Sequence, residues 1–212
     1  MSQTRIFNVS EVTDKQLLQA ARDLEQGAVA VLPTDTVYGI GTAAGQEKSI
    51  QTIYRLKNRP ATSPLQLLRG SVEQVKQEAV LSVQAQRLAS AFWPGGLTLI
   101  LPPTKRGRIF LRGFAGLGFR VPNHPFLLEL LKQMYVPLAC TSANLHGQDV
   151  ITNEKVLLDT FEGKADYIFC AGTLSPVASS VVDMTGTPKL LREGALTRKQ
   201  LEQIMGGVLD IK

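Results

Sequence analysis

The sequence has few of the residues that covalent and metal-dependent chemistry needs. It contains two cysteines and two histidines in 212 residues. Cys140 and Cys170 each lie inside an apolar run, so we expect reduced thiols in the core and no disulfide framework. His124 and His146 add too few ligands for a zinc set, and no nucleophile-elbow signature accompanies them. Covalent and metal-hydrolase chemistry are therefore disfavoured.

Long apolar and low-complexity segments are also missing. No apolar run approaches the roughly 20 residues that a membrane-spanning helix needs. The N-terminus, MSQTRIFNVSEVTDK, lacks a basic stretch followed by a continuous apolar stretch, as a signal peptide would have. No linker and no repeat of fixed period is visible. We therefore expect a cytoplasmic protein without a membrane segment, in which residues 1–212 form a single domain.

The common nucleotide-binding motifs are absent or incomplete. No segment supplies the G-x-x-x-x-G-K-[ST] pattern of a P-loop. Gly39, Gly41 and Ala44 match G-x-G-x-x-A, but about 20 residues further on the chain has Pro64 and no acidic residue for a ribose. A P-loop is excluded, and a dinucleotide site of the Rossmann type is disfavoured.

What the chain does have is an apolar core and an excess of basic residues. The hydrophobic content of 44% is enough for a sizeable core, and the net charge of +5 favours anionic partners such as nucleotides or nucleic acid. The densest basic segment, TKRGRIFLRG, is typical of a solvated loop, although its charge also suits an anion. Its basic residues are Lys105, Arg106, Arg108 and Arg112.

Apolar periodicity predicts alternating helices and strands. Thr13 and Gln16 form a capping-box pattern, and Gly27 is placed to end the helix that follows. The strand AVAVL is followed by the turn PTDTVYGIG, and Lys57 lies at the end of the next helix. Further strands are PLQLL, LTLILP, LGFRVP, PLACTSA, DYIFC, SSVVDM and KLLRE, and further helices are QRLASAF, FLLELLKQM, NEKVLLDTF and TRKQLEQIM.

This order of elements predicts a three-layer α/β fold with a twisted sheet flanked by helices. SSVVDM and KLLRE resemble a hairpin joined across TGTP. The step from LTLILP to LGFRVP has no helix between the two strands. We therefore expect a mixed sheet rather than a wholly parallel one.

Small hydroxyls and cations gather at the predicted strand ends, where α/β proteins bind ligands. Because Pro60 turns the chain out of the helix, Lys57 and Arg59 can point into one cleft beside PTDTVYG, although both also suit a solvated helix end. Ser142 and Asn144 end a strand and suit either a ligand or a turn cap. Other residues of this kind are Thr34, Thr36, Ser63, Arg120, Ser179, Ser180 and Arg192.

Taken together, these segments resemble a known family. PTDTVYGIG, LKNRP before SPL, FWPGGLTLIL, FRVPNHP, TSANLHG, SSVVD and LREG occur in the order and spacing of the YrdC family of threonylcarbamoyl-AMP synthases, over residues 28–194. The resemblance implies a twisted mixed sheet with a large basic cavity. It also implies a nucleotidyltransferase that condenses L-threonine, bicarbonate or CO2, and ATP into threonylcarbamoyl-AMP and pyrophosphate. That product leads to the threonylcarbamoyl modification of adenosine 37 in tRNA.

The resemblance also assigns site residues and partners. Lys57 and Arg59 would be catalytic and would bind ATP together with Ser63, Ser142, Asn144 and Arg192. Thr36, Arg120 and Ser179 would hold threonine. Mg²⁺ would be bound through the ATP phosphates and not by a protein metal site. Implied partners are tRNA or double-stranded RNA and a downstream threonylcarbamoyl transferase.

The motifs depart from the usual family pattern at three positions. Ser63 stands where strict synthases usually have asparagine, Leu68 where they have histidine, and Ser180 is in the second position of S-S-V-V-D, where threonine is usual. The ending DMTGTPKLLREG also resembles the YciO branch of the family. Two alternatives stay open: a YciO-like protein that binds nucleotide or RNA without synthase activity, and a carbamoyl-adenylate enzyme of the hydrogenase-maturation type. From the 212 residues we expect no counterpart of the extra C-terminal domain of longer relatives.

Overall fold

The first helix begins where its capping residues predict. The computed structural model describes residues 3–60, 62–145, 147–174 and 177–211. Thr13 and Gln16 cap each other's backbone amides before α1 (Asp14–Glu25), and Gly27 follows with a φ of +102°. The later helices are α2 (Glu47–Lys57), α3 (Val72–Glu78), α4 (Val83–Phe92), α5 (Pro125–Lys132), α6 (Glu154–Phe161) and α7 (Arg198–Met205). No helix within these described ranges is long and apolar enough to cross a bilayer.

The described strands form one mixed sheet, as predicted. They are β1 (Arg5–Asn8), β2 (Ala30–Leu32), β3 (Gly39–Ala43), β4 (Gln66–Leu68), β5 (Leu97–Leu101), β6 (Leu117–Arg120), β7 (Leu138–Ser142), β8 (Tyr167–Cys170), β9 (Ser180–Asp183), β10 (Lys189–Arg192) and β11 (Asp210–Ile211). Their order is β1-β8-β2-β3-β7-β4-β6-β5-β9-β10-β11. The predicted antiparallel β9–β10 hairpin is confirmed, and β5 pairs directly with β6 in the antiparallel sense.

Strand β3 is absent from the sequence prediction, because its first three residues, Gly39, Ile40 and Gly41, fall in the predicted turn PTDTVYGIG. In the structure β3 pairs antiparallel with both β2 and β7. A Cβ at Gly39 would lie 2.6 Å from the Cys140 sulfur, and one at Gly41 would lie 2.8 Å from the Ala139 carbonyl oxygen. The glycines therefore allow close contact with β7, although glycine weakens a strand pattern in sequence. The sequence also failed to predict β1, α3 and β11.

Helices cover both faces of the sheet and confirm the three layers. Leu32 of β2 packs with α1 and α5, whereas the preceding Val31 packs with α2 and α6 on the opposite face. In β4, Leu68 lies on the α1 and α5 side, and Leu67 faces the core formed with α3, α4 and α7. Successive residues of a strand therefore point to opposite faces of the sheet and pack against different layers of helices. Leu68, which departs from the family pattern, is a core residue.

A buried ion pair fixes the end of β4 against its neighbours. Arg69 and Glu78 are 1% and 0% exposed, and Arg69 Nε donates to Glu78 Oε2 over 3.1 Å. The same guanidinium donates to the carbonyl oxygens of Met134 and Tyr135, each over 3.0 Å. One side chain therefore joins β4, α3 and the segment after α5.

We expect Glu78→Gln to lower the free energy of unfolding by about 3 to 5 kcal/mol, because it leaves the buried Arg69 charge without a carboxylate. Chemical denaturation measures the loss. Glu129→Gln is the control, since Glu129 pairs with Lys132 on the surface and should cost less than about 1 kcal/mol. Equal losses for the two variants would contradict this account of the buried pair.

Candidate active site

A polar cleft of about 330 Å³ lies on the sheet face opposite the core of α3, α4 and α7. Leu99 and Phe119 face that core, and their neighbours Thr98 and Arg120 face the cleft. Six of the side chains predicted from sequence line it: Thr36, Arg59, Arg120, Ser142, Ser179 and Arg192. Thr36 belongs to the segment PTDTVYGIG, so this segment forms part of the cleft wall. The fold thus brings together side chains that are far apart in sequence.

Arg120 anchors the PTDTVYGIG segment to β6. It is 3% exposed, and its Nη2 donates to Asp35 Oδ1 over 2.6 Å while Nη1 donates to Thr36 Oγ1 over 2.9 Å. Its Nε donates to the Gly95 carbonyl oxygen over 2.9 Å. Burial lowers the pKa of Arg120, and the adjacent Asp35 opposes that shift. Arg120 is therefore both a cleft residue and a structural clamp.

Thr34 stabilises the PTDTVYGIG segment through hydrogen bonds to other residues of that segment. Thr34 Oγ1 donates to the Val37 carbonyl oxygen over 2.7 Å and accepts from the amides of Thr36 and Val37, both over 3.1 Å. It also shares a 2.9 Å hydrogen bond with Thr36 Oγ1. Thr34, predicted as a polar strand-end residue, therefore shapes the loop that presents Thr36 to the cleft.

Ser179 and Arg192 form the opposite wall. Arg192 donates from Nε to the Ser179 carbonyl oxygen over 2.9 Å and from Nη2 to Ser179 Oγ over 3.1 Å. Ser179 Oγ also shares a 2.9 Å hydrogen bond with Thr98 Oγ1. Burial lowers the pKa of Arg192, which remains a cation near neutral pH. Ser180, one residue on, points away from this group and donates to the Leu196 carbonyl oxygen over 2.6 Å.

Gln66 and Thr98 are cleft residues that the sequence interpretation missed. Gln66 of β4 donates to the Thr98 hydroxyl of β5, although β6 lies between these strands. Gly118, also in the cleft lining, has no side chain, so the Gln66 amide can reach across β6. One sequence signal was available: Thr98 is the polar residue in the otherwise apolar run LTLIL.

Arg59 lines the cleft with unused hydrogen-bonding capacity. Its Nη2 donates to the Pro64 carbonyl oxygen over 3.2 Å. Its Nε is buried and has no hydrogen-bond partner in the described part of the chain. A buried donor without a partner is costly, and a bound anion would satisfy it. Within the described ranges, neither Arg59 nor Arg192 forms an ion pair with an acidic side chain.

Lys57 lies behind the cleft wall and is 1% exposed. Its Nζ donates to the carbonyl oxygens of Ser142 and Asn144 and to Asn144 Oδ1, the last over 3.2 Å. Burial lowers the pKa of Lys57 to about 8, and the nearby Arg59 cation adds to that shift. The structure therefore separates the two cations of LKNRP: Arg59 faces the cleft, and Lys57 binds the loop that follows β7.

Asn144 and Ser63 also lie outside the cleft lining. Asn144 Oδ1 accepts from Ser142 Oγ, and its Nδ2 donates to the Gln148 carbonyl oxygen over 2.6 Å. The Ser63 carbonyl oxygen accepts from the Tyr54 hydroxyl over 2.8 Å, directly before the cleft residue Pro64. Asn144 therefore orients Ser142 through a direct hydrogen bond. The ligand roles predicted for Lys57, Ser63 and Asn144 stay predictions.

The cleft is suited to binding anions and not to forming covalent intermediates. Cys140 lines it, but burial raises the pKa of this thiol to about 12, so it is neutral near pH 7. Across the residues that the structure describes, no group of three or more histidine, cysteine, aspartate or glutamate side chains could hold a metal ion. His146 lies outside the described residues. The remaining groups are guanidinium cations, hydroxyls and an amide.

Comparisons with known proteins agree with this geometry. The family model Sua5/YciO/YrdC, described as telomere recombination, matches residues 22–194. The chain is 35% identical to the threonylcarbamoyl-AMP synthase of Pyrococcus abyssi, over 97% of this chain and 62% of that protein. The crystal structure of P. abyssi Sua5 complexed with L-threonine superposes with a TM-score of 0.89 and 33% identity, covering 99% of this chain and 63% of the other. The crystal structure of E. coli YciO superposes with a TM-score of 0.84 and 27% identity, covering 95% of this chain and 100% of the other.

We predict that the stability contribution of Lys57 rises with pH. Because the pKa of Lys57 is about 8 in the folded protein and about 10.5 for an ordinary lysine, the folded chain releases this proton at a lower pH than the unfolded chain. Between pH 8 and pH 10 the wild type should therefore gain about 2 kcal/mol of unfolding free energy relative to Lys57→Met. Chemical denaturation at both pH values measures this difference. Lys132→Met, which removes an exposed lysine, should show no such change, and a constant Lys57→Met difference would refute the prediction.

Proposed function

Because the chain belongs to the Sua5/YciO/YrdC family, we propose that it is a threonylcarbamoyl-AMP synthase. The observation that carries the proposal is the cleft, where Arg59 and Arg192 lack acidic partners among the described residues and stand near the hydroxyls of Ser142 and Ser179. The threonine complex of P. abyssi Sua5 supports an amino-acid substrate. The chain spans less than two thirds of that relative's length, so the activity is proposed for this part alone.

The proposed reaction needs no protein nucleophile. The threonine amine adds to CO2 and releases a proton to the solvent, which leaves a carbamate anion. A carbamate oxygen then attacks the α-phosphorus of ATP, and the bond to the pyrophosphate oxygen breaks. The protein must align two anions and stabilise the departing pyrophosphate. A cleft that offers cations and hydroxyls is sufficient for these tasks. The neutral Cys140 thiol agrees with a reaction that uses no protein nucleophile.

We assign the nucleotide phosphates to Arg59, Arg192 and Ser142. The unpartnered Nε of Arg59 supports its predicted catalytic role. The contacts of Lys57 favour a positioning role, because its ammonium group lies on the carbonyl oxygens of Ser142 and Asn144. Ser63 and Asn144 would act in the same indirect way, through the loops that carry cleft residues.

We assign threonine to Thr36, Arg120 and Ser179. A guanidinium has five N–H donors, and three of those on Arg120 are used by Asp35, Thr36 and Gly95. Two donors are left, so the threonine carboxylate would share Arg120 with Asp35. This arrangement favours a substrate whose carboxylate approaches in one orientation.

We propose that Mg²⁺ enters with ATP and is bound by phosphate oxygens and water. Asp35, the carboxylate next to the cleft residue Thr36, is already paired with Arg120, which is consistent with this assignment. tRNA, double-stranded RNA and a downstream threonylcarbamoyl transferase stay proposed partners. A cytoplasmic location and a single domain over residues 1–212 are likewise proposed, the latter supported by one continuous sheet across the described residues.

The proposal is tested by mass detection of threonylcarbamoyl-AMP after incubation with ATP, labelled bicarbonate and L-threonine. We expect the labelled product when all three are present and none when one is omitted. The YciO-like alternative, supported by the similarity to E. coli YciO, predicts salt-sensitive RNA binding with no product. A carbamoyl-adenylate enzyme would instead form carbamoyl-AMP from carbamoyl phosphate and ATP, without threonine.

For Arg59→Ala we expect kcat/KM to fall by a factor that corresponds to about 2 to 4 kcal/mol, because the variant loses a cation that stabilises developing phosphate charge. Steady-state pyrophosphate release measures this loss, and thermal denaturation should show little change. Arg55→Ala, which removes an exposed arginine from α2, is the matched control and should retain activity. A destabilised Arg59→Ala protein with normal turnover would argue against the assignment.

Arg120→Lys should raise the apparent KM for threonine roughly 10-fold and change the apparent KM for ATP less than about 2-fold. The reason is that lysine cannot form the planar pair of hydrogen bonds that a guanidinium makes with a carboxylate. Serine should stay a poorer substrate in both proteins, since one methyl group is worth only ~1 to 3 kcal/mol. Arg198→Lys changes an ion-paired arginine outside the cleft and should alter neither constant. Equal weakening of ATP and threonine would contradict a threonine-binding role and leave Arg120 with its structural role alone.

A further inference from the structure

Three polar side chains in the cleft, Gln66, Thr98 and Ser179, form a hydrogen-bond relay. Gln66 Nε2 donates to Thr98 Oγ1, which shares a 2.9 Å hydrogen bond with Ser179 Oγ. At the far end, Arg192 Nη2 donates to the same Ser179 oxygen over 3.1 Å. Thr98 and Ser179 are 5% and 4% exposed. The relay therefore connects two hydroxyls that bulk water hardly reaches.

The relay crosses the sheet. Gln66 lies on β4 and Thr98 on β5, and β6 runs between these two strands. A Cβ at Gly118 of β6 would already contact Thr98 Cγ2 over 3.7 Å, so glycine keeps the space between Gln66 and Thr98 open. Ser179 directly precedes β9, which pairs with β5 on its other side. One glutamine is thus connected to a hydroxyl two strands beyond its nearest neighbour in the sheet.

The donors of the relay point from Gln66 toward Ser179. A serine or threonine hydroxyl has one hydrogen to donate and can accept two hydrogen bonds. Gln66 Nε2 is a donor only, so the Thr98 hydrogen cannot be given to it. Within the described ranges, Ser179 Oγ is the other polar atom bonded to Thr98 Oγ1. Donation from Thr98 to Ser179 uses the Thr98 hydrogen, and the hydrogen bond that Thr98 accepts from Gln66 strengthens this donation.

This orientation leaves Ser179 as a hydrogen donor toward the cleft. Its oxygen accepts from Thr98 and from Arg192, so both acceptor positions are occupied and its own hydrogen is free for a ligand. The Arg192 guanidinium is beside it and is also a donor only. A ligand that faces Ser179 therefore meets donors from two side chains, which suits a carboxylate.

We propose that Gln66 is a positioning residue for threonine: through Thr98, it turns the Ser179 hydrogen toward the substrate carboxylate. The inference rests on the proposed function for the identity of the substrate. The structure of P. abyssi Sua5 complexed with L-threonine supports this choice of ligand. The proposal gives Gln66 and Thr98 a role that requires no contact with the substrate.

Gln66→Glu tests the direction of the relay, because it keeps the shape of the side chain and replaces a donor with an acceptor. At about pH 8 the new carboxylate is ionised and accepts from Thr98. Ser179 then donates to Thr98 and presents a lone pair to the cleft. We expect the Kd for L-threonine, measured by calorimetry, to rise at least about 10-fold. Gln203→Glu makes the same charge change on an exposed position of α7 and should bind threonine like the wild type.

A double-mutant cycle with Ser179→Ala separates the relay from a direct effect of the new charge. Without the Ser179 hydroxyl there is no hydrogen to redirect, so Gln66→Glu should weaken L-threonine binding less than about 2-fold in the Ser179→Ala background. If the carboxylate acted directly on the ligand, it would weaken binding by the same factor in both backgrounds. Equal factors, or an unchanged Kd for Gln66→Glu alone, would overturn the proposal.

Gln66→Met decides the question if Gln66→Glu does not fold. Methionine has a similar length and makes no comparable hydrogen bond, so the two hydroxyls lose their preferred direction without gaining the reverse one. We expect about 3-fold weaker L-threonine binding with Ser179 present and less than about 1.5-fold with Ser179→Ala. The Kd for ATP should change less than about 2-fold, since no general distortion of the cleft is involved. Equal factors in the two backgrounds, or an equal loss of ATP binding, would contradict the relay.

These titrations separate the relay from the proposed reaction. A protein that shows the expected coupling but makes no threonylcarbamoyl-AMP keeps the relay and loses the synthase proposal. A protein that makes threonylcarbamoyl-AMP but shows no coupling between positions 66 and 179 keeps the synthase proposal and loses the relay. A wild type that does not bind L-threonine, with or without ATP, overturns the relay as a device for this substrate.

Discussion

The structure depends on the partners that its buried cations require. Lys57, Arg69 and Arg120 are 1%, 1% and 3% exposed, and each buried ion would cost several kcal/mol without partners. Arg69 is paired with Glu78, and Arg120 with Asp35. Lys57 has carbonyl and amide oxygens instead, so its positive charge is solvated without being neutralised. The contacts of Lys57 with Ser142 and of Arg120 with Asp35 each join residues 85 positions apart in the chain. Arg69 joins more distant segments through its hydrogen bond to the Met134 carbonyl oxygen.

This arrangement leaves other cations available at the surface of the cleft. Asp35 neutralises the buried Arg120, whereas Arg59 and Arg192 bind backbone carbonyl oxygens in the described structure and keep their full charge. The hydroxyls of Ser142 and Ser179 lie beside them because Asn144 and Thr98 hold these side chains by hydrogen bonds. The cleft is thus a preorganised candidate site for an anion, and the residues that support its lining lie behind the cleft wall.

The sequence was most informative where a local rule applied. The Thr13 and Gln16 capping box and the β9–β10 hairpin were predicted from neighbouring residues and are confirmed. Strand β3 was missed because Gly39 and Gly41 weaken the strand pattern, although their lack of side chains allows contact with β7. The Gln66 to Thr98 hydrogen bond depends on strand order and on Gly118, which a linear pattern does not encode. The reaction came from family resemblance, and the burial of Lys57 required three-dimensional packing.

The central claim is that this cleft adenylates a threonine-derived carbamate without a protein nucleophile. Exchange of radiolabelled pyrophosphate into ATP tests it most directly, because exchange requires reversible formation of the adenylate. The account predicts exchange that needs both threonine and bicarbonate and that persists when Cys140 is replaced by serine. Exchange without threonine, or none with all substrates present, would contradict it.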